Sequence, residues 1–288
     1  MRLHVGCAMW AHAPWQGRFV PSGLPPGERL RAYAGWCDAV EGNTTFYATP
    51  TRETVETWAA QTPPDFLLLP KLPRTVTHDR RLAGGDAELD AAMRAFLDAM
   101  EPLGPRAPAL WAQLPGSFGP AELGVLAAFL RRLPRAYRAV VEVRHPAFFT
   151  DDRAAAHLER VLGETGAEWA TFDTTALFEG GLPTSDAERE AWAKKPRLPR
   201  RTRVLTDRPV LRYLGRDDPE RTAEGWRPWV ERTAEWLREG RSPTVFVHTP
   251  TNTDSLELAR RFHTDVRALV PGLHPLPEPT PAGPPTLF

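Results

Sequence analysis

A chain of 288 residues with 36 Lys+Arg, 36 Asp+Glu and formal net charge +0 is long enough for one large α/β domain. Its charge balance excludes a general polyanion binder, so nucleic-acid contact would need a local patch and is not expected. No run of about 18 apolar residues occurs, and His4, His12, Gln16 and Arg18 break up the N-terminus before any signal-peptide core forms. The chain reads as cytoplasmic and without a membrane partner, with Cys7 and Cys37 as buried thiols.

Taken in order, alternation predicts a first strand at 3–9, ending at Trp10, then a rim loop over 11–26 carrying Trp15 and Phe19. Leu30, Tyr33, Ala34 and Cys37 fall at helical spacing and predict a helix over 27–37. A second strand, 39–45, sets Glu41, Asn43 and Thr45 on one face. Pro50-Thr51 starts a helix that Pro63-Pro64 stops. The apolar run 66–72 reads as a strand covered on both faces, interrupted by Lys71 near its end. After a loop holding Thr77-His78-Asp79, an amphipathic helix is predicted from Asp86 to 103.

The fourth strand, 109–114, sets Gln113 opposite Ala112 and Leu114, and Pro120 opens the helix that follows. In the fifth, from Val140, Val141 and Val143 point one way while Glu142 and Arg144 point the other; Pro146 then stops the ladder. A helix at 152–165 leads to a sixth strand, 168–173, where Thr171 and Asp173 share a face. The stretch 174–208 is irregular. It holds a short helix opened by the capping box Ser185–Glu188, and a basic run from Lys194 to Arg203 read as a solvated loop. Strands at 209–214, carrying Arg212, and 244–249, carrying Phe246 and His248 on one face, flank a helix at 226–238. A helix at 255–269 closes the fold before a Pro-rich, extended tail at 271–288.

Eight strands alternating with helices predict an α/β protein built as a closed (β/α)8 TIM-type barrel, a single domain over 1–270. The alternative, an open doubly wound sheet, normally shows a Gly-rich phosphate turn, and neither G-x-G-x-x-G nor a P-loop occurs.

In such a barrel the C-terminal strand ends build the site. Alternation turns Glu41, Asn43, Lys71, Gln113, Glu142, Arg144, Asp173, Arg212 and His248 inward. Lys71, Arg144 and Arg212 can grip a phosphate or carboxylate. Glu41, Glu142 and Asp173 can act as acid and base if burial separates their pKa values. The competing account is an ion-pair network that only fills the interior; its desolvation cost argues for function instead. His78 is a candidate proton carrier or metal ligand. His145 either caps its strand end or points into the site. Trp10, Trp15, Phe46 and Tyr47 pack the rim or stack on a planar ligand. Without G-x-S-x-G or H-E-x-x-H, no metal set or cofactor is named.

Several segments carry a family likeness. Gly6, Trp10, Trp15, Gly17-Arg18-Phe19 and Pro21 belong to it, as do Val40-Glu41…Asn43-Thr44-Thr45-Phe46-Tyr47…Pro50. Lys71, Thr77-His78…Arg80-Arg81-Leu82, Gln113-Leu114-Pro115 and Val141-Glu142…Arg144-His145-Pro146 extend it. Together these resemble the YecE-like proteins, the domain-of-unknown-function family numbered 72. The resemblance implies a TIM-type barrel. Its recurring polar positions match Glu41, Asn43, Lys71, His78, Gln113, Glu142, Arg144, Asp173 and Arg212. Two motifs depart from it: Arg212-Tyr213-Leu214-Gly215 lacks the family's histidine, and His248-Thr-Pro-Thr-Asn252 lacks its paired asparagines. The expected function is an enzyme acting on a small anionic or polar substrate. The alternatives are a metal-dependent hydrolase of phosphodiesters or sugars, or a non-catalytic binder of a metabolite or nucleic-acid end.

Overall fold

The structure is a computed structural model that describes residues 1–279 apart from Asp86 and Gly180. Asp86, the expected start of a helix, and residues 280–288 of the expected tail lie outside the described residues. The strands are β1 (His4–Cys7), β2 (Ala39–Gly42), β3 (Leu67–Pro70), β4 (Ala109–Gln113), β5 (Arg138–Glu142), β6 (Glu168–Trp169), β7 (Thr171–Asp173), β8 (Val210–Leu214) and β9 (Thr244–His248). Every pairing is parallel. The class is α/β.

The expected closed eight-stranded barrel is not what forms. The strands make two open parallel sheets, one of six in the order β3-β2-β1-β9-β8-β7 and one of three in the order β4-β5-β6. Proline chemistry accounts for the first break. Leu72 N–H reaches Trp111 O at 2.9 Å, so by alternation the bond two residues earlier would come from residue 70, which is proline and has no N–H. Only an isolated bridge, Lys71 to Trp111, links β3 to β4. The second break splits the expected sixth strand. Residues 168–169 pair with β5 and 171–173 with β8; between them Ala170 N–H turns back to Val141 O at 2.9 Å.

Both faces of the sheets are covered, which is why their strands read as apolar runs. One face carries Ala39, Leu69, Trp111, Val140, Ala170, Val210 and Phe246, a compact cluster between the two sheets. Trp111 of β4 and Phe246 of β9 meet across it at 5.7 Å. The other face, with Val5, Val40, Leu68, Val141, Trp169, Tyr213 and Val247, joins the larger core under the helices. Those helices include Arg52–Gln61, Ala87–Met100, Leu123–Arg132, Asp152–Thr165, Arg227–Arg238 and Ser255–Leu269. Their ends follow local chemistry. Asp151 caps Asp152–Thr165 by accepting from Arg153 N at 2.9 Å, and Gly166 closes it at φ 66°.

Gly6 is fixed by packing. A Cβ there would sit 1.9 Å from Ala39 O, and the Tyr33 hydroxyl fills the adjoining space, donating to Ala39 O at 2.7 Å and accepting from Cys7 N at 2.7 Å. Residues 271–279 are not a free tail. Leu273 and Leu276 are buried in the core, and Pro277 O accepts from Arg260 Nη1 at 2.7 Å.

Candidate functional site

The interior cluster ends where the strands turn polar. Glu41 of β2 follows Ala39 in phase, Lys71 follows Leu69, Gln113 follows Trp111, Glu142 follows Val140 and Arg212 follows Val210. Glu41 is at the centre. Its Oε1 lies 2.6 Å from Lys71 Nζ and its Oε2 accepts from Arg212 Nε at 2.8 Å. Lys71 Nζ also donates to Gln113 Oε1 at 2.8 Å. Glu41 is fully buried and Lys71 and Arg212 nearly so. Burial raises the Glu41 pKa, but Arg212 and Lys71 together outweigh it and hold the carboxyl at about 2. Burial wins at Lys71, lowering it to about 8 against the pull of Glu41.

A second pair lies beside the first. Glu142 Oε1 accepts from Arg144 Nε at 2.7 Å, and Arg144, two residues past the end of β5, is about a fifth exposed. The other oxygen, Glu142 Oε2, is buried with no hydrogen bond among the described residues. Burial raises the Glu142 pKa, and Arg144, Arg212 and Lys71 bring it below the usual range. Phe172 forms the floor under both arginines, its ring 5.2 Å from the Arg144 guanidinium and 4.7 Å from that of Arg212. His248 Nδ1 lies 3.4 Å from Arg212 Nη2. Burial, with Arg212, Lys195 and Lys71, keeps this imidazole neutral.

Lys195 is the residue the sequence reading missed. The basic run predicts a solvated loop, yet Lys195 lies at the C-terminus of the Asp186–Lys194 helix and turns toward the strand ends. With Leu214, His248 and Pro250 it lines a cleft of about 160 Å³. Its ammonium has no hydrogen-bond or ion-pair partner among the described residues. Burial, then repulsion from Arg212 and Arg144, lowers it to about 8. The segment is clamped in place by Glu188, buried against Arg216 at 2.6 Å; Arg216 also donates to Gly181 O at 2.9 Å and Leu182 O at 2.7 Å. Alternating polar and apolar spacing gives no signal for a group delivered from an insertion.

Other expected site residues stand elsewhere. Asp173 faces the helices: it accepts from Trp229 Nε1, from Arg200 Nε at 3.0 Å and from Thr175 Oγ1 at 2.7 Å. Phe172 takes the inward position instead. Alternation tells which residues share a face, but with both faces buried it cannot tell which face is inside. His145 Nδ1 accepts from Ala147 N at 3.2 Å and so caps its turn. Asn43 Nδ2 donates to Ala8 O at 2.6 Å, tying β2 to the end of β1. Trp10 packs edge-on against Trp58 at 5.1 Å. His78 borders the site, edge-on to Phe46 at 5.1 Å, and burial with Arg74 and Arg144 lowers its pKa. Among the described residues no three His, Cys, Asp or Glu side chains are grouped to hold a metal, and no helix is long and apolar enough to cross a membrane.

The family model described as "Protein of unknown function DUF72" matches residues 4–283. The chain is also 34% identical over 275 residues to UPF0759 protein YecE of Escherichia coli, in strains O157:H7 and K12, covering 96% of each partner.

The chain belongs to the DUF72 family.

Solved DUF72 structures share its fold. One from Enterococcus faecalis superposes with a TM-score of 0.67 at 15% identity, covering 97% of this chain and 99% of that one. One from Thermotoga maritima gives 0.65 at 22% identity, covering 94% and 100%. In this DUF72 chain Leu214, where the expected family pattern has histidine, lines the cleft beside His248 and Lys195.

Proposed function

We propose that this DUF72 protein is an enzyme acting on a small anionic substrate held outside the C-terminal ends of the strands, where ligands of open α/β sheets bind. One observation carries the reading. Among the described residues four cations, Lys71, Arg144, Lys195 and Arg212, share one field with two carboxylates, Glu41 and Glu142, and the Lys195 ammonium has no hydrogen-bond or ion-pair partner. Lys195 is part-buried, so water answers its charge only in part, and an anion in the cleft would supply the counter-ion. Arg144 has an exposed guanidinium edge for a charge-assisted bond to phosphate or carboxylate. Lys195 supplies a second contact. Glu142, with its unbonded Oε2, is positioned as the base, and His248, held neutral, can accept or pass a proton.

Thermal shift across inorganic phosphate, sugar phosphates, carboxylates, neutral sugars and divalent metals tests this. At 100-fold its Kd, the right anion adds ~2.7 kcal/mol of stability, and Lys195→Met abolishes that gain. Stabilisation by a neutral sugar or a metal, with none by any anion, defeats the reading.

A further inference from the structure

At the opposite end of the strands the inward phase again carries cations. Arg138 and Arg208 stand two residues before Val140 and Val210 of the interior cluster, and Arg2 stands two before His4. They line a cavity of about 240 Å³ together with Ser242 and Thr244, above Leu67, Leu69 and Val210. Two of the three arginines are answered by acids. Arg2 Nη2 lies 2.6 Å from Asp65 and its Nε 3.6 Å from Asp38, which also takes His4 Nδ1 at 3.0 Å. Arg208 Nε has Asp207 at 3.9 Å.

Arg138 is different. Its Nε and Nη1 are buried and bonded to nothing among the described residues. Burial and the nearby Arg208 work against its charge, and Asp207 and Glu168 only partly answer them. Glu168 is itself committed, accepting from Leu205 N, Thr206 N and the Thr206 hydroxyl. A guanidinium cannot shed its proton to escape this cost, so among the described residues the site lacks an acceptor.

We propose that this cavity is a second ligand site, independent of the one at the C-terminal ends, for a small molecule with an oxyanion head and a short apolar body. The head, a phosphate or carboxylate, accepts from Arg138 Nη2, the edge of the guanidinium that is not closed off, and takes charge from Arg208. Ser242 and Thr244 add hydroxyls, and Leu67, Leu69 and Val210 pack the body. The volume lies below the about 300 Å³ at which drug-sized sites begin, which sets the ligand's size at a few carbon atoms.

Nitrogen-15 spectroscopy of arginine Nε–H groups in the full chain reads this directly, with inorganic phosphate and butyrate as probes that separate the two heads. The Arg138 signal is assigned through its own spin system and by its loss in Arg138→Lys. It should move saturably with at least one probe. Arg208→Gln should weaken that response about tenfold, the loss of one charge-assisted bond, and Lys195→Met should leave it unchanged. An Arg138 signal that neither probe moves, or that moves only in step with the exposed arginines, overturns the site. A response abolished by Lys195→Met overturns its independence.

Discussion

Arg144 and Lys195 are both cations at the same mouth, but removing them should have opposite consequences for the fold. Arg144 is the hydrogen-bonded partner of fully buried Glu142. Arg144→Leu leaves that carboxylate without its hydrogen-bonded partner, answered only at longer range by Arg212 and Lys71, and should cost ~3 kcal/mol, the low end for breaking a buried pair because Arg144 is partly exposed. Lys195 breaks no ion pair among the described residues when it goes. Lys195→Met should hold or raise the denaturant midpoint while removing anion binding, and a midpoint that falls as far as that of Arg144→Leu would show Lys195 to be structural. At this scale the sequence was informative where a strand carried the residue. Glu41, Lys71, Gln113, Glu142, Arg144, Arg212 and His248 could be grouped by period-2 spacing, and they do face one interior. Asp173 and Lys195 show the two ways that logic fails: the wrong choice between two buried faces, and delivery from outside the strands.

Among the elements, the β1–β2 contact and the 174–208 insertion carry the sharpest expectations. Gly6→Ala would drive a methyl into Ala39 O and the Tyr33 hydroxyl that bridges both strands. Backbone must shift, so the substitution should cost about 3 kcal/mol or more by chemical denaturation. A loss under ~1 kcal/mol would mean the strands can separate cheaply. Arg216 is 1% exposed and Glu188 is fully buried, and the pair holds the insertion through both side chains and the Gly181 and Leu182 carbonyls. Arg216→Leu should cost ~3–5 kcal/mol and release Lys195 from the cleft, read as protease sensitivity near residue 195. The Ser185 cap of this helix was legible in its capping box; the clamp was not, because nothing in Arg216's neighbourhood in the chain names Glu188. Helices with strong apolar periodicity, such as Asp152–Thr165 and Ser255–Leu269, were legible to their ends. Strands were read one to three residues too long where a polar residue continued the alternation into a turn, as at Asn43–Thr45.

For the molecule as a whole, alternation of strands and helices gave the α/β class but not closure of the sheet. Closure depends on hydrogen bonds between strands far apart in sequence, and one proline, Pro70, removes a donor at the β3–β4 seam. The buried charge also sets the acid limit of the fold. Glu41 has its folded pKa lowered to about 2 from the ordinary glutamate value of 4.5, so the unfolded chain binds its proton first. Its contribution, roughly 3 kcal/mol, is fully present above pH 4.5 and disappears as pH falls toward 2. Glu41→Gln should flatten the acid limb of a stability profile in that window, and an unchanged limb would show that other carboxylates govern it.

That an anion completes the cation cluster is tested most directly at the Lys195 ammonium, which has no hydrogen-bond or ion-pair partner among the described residues. Lys195 has a folded pKa of about 8, lowered from the ordinary lysine value, so it is mostly charged at pH 7 and mostly neutral by pH 9. An anion that binds the charged form must raise that pKa, and its own affinity must fall as pH rises through 8. Titrating the Lys195 Nζ resonance with and without saturating inorganic phosphate measures both. A pKa near 8 is expected in the free protein, with a rise of about one unit or more in phosphate, tenfold in coupling. A Lys195 that titrates at the same pH in both samples, with phosphate affinity flat from pH 7 to 9, would contradict it.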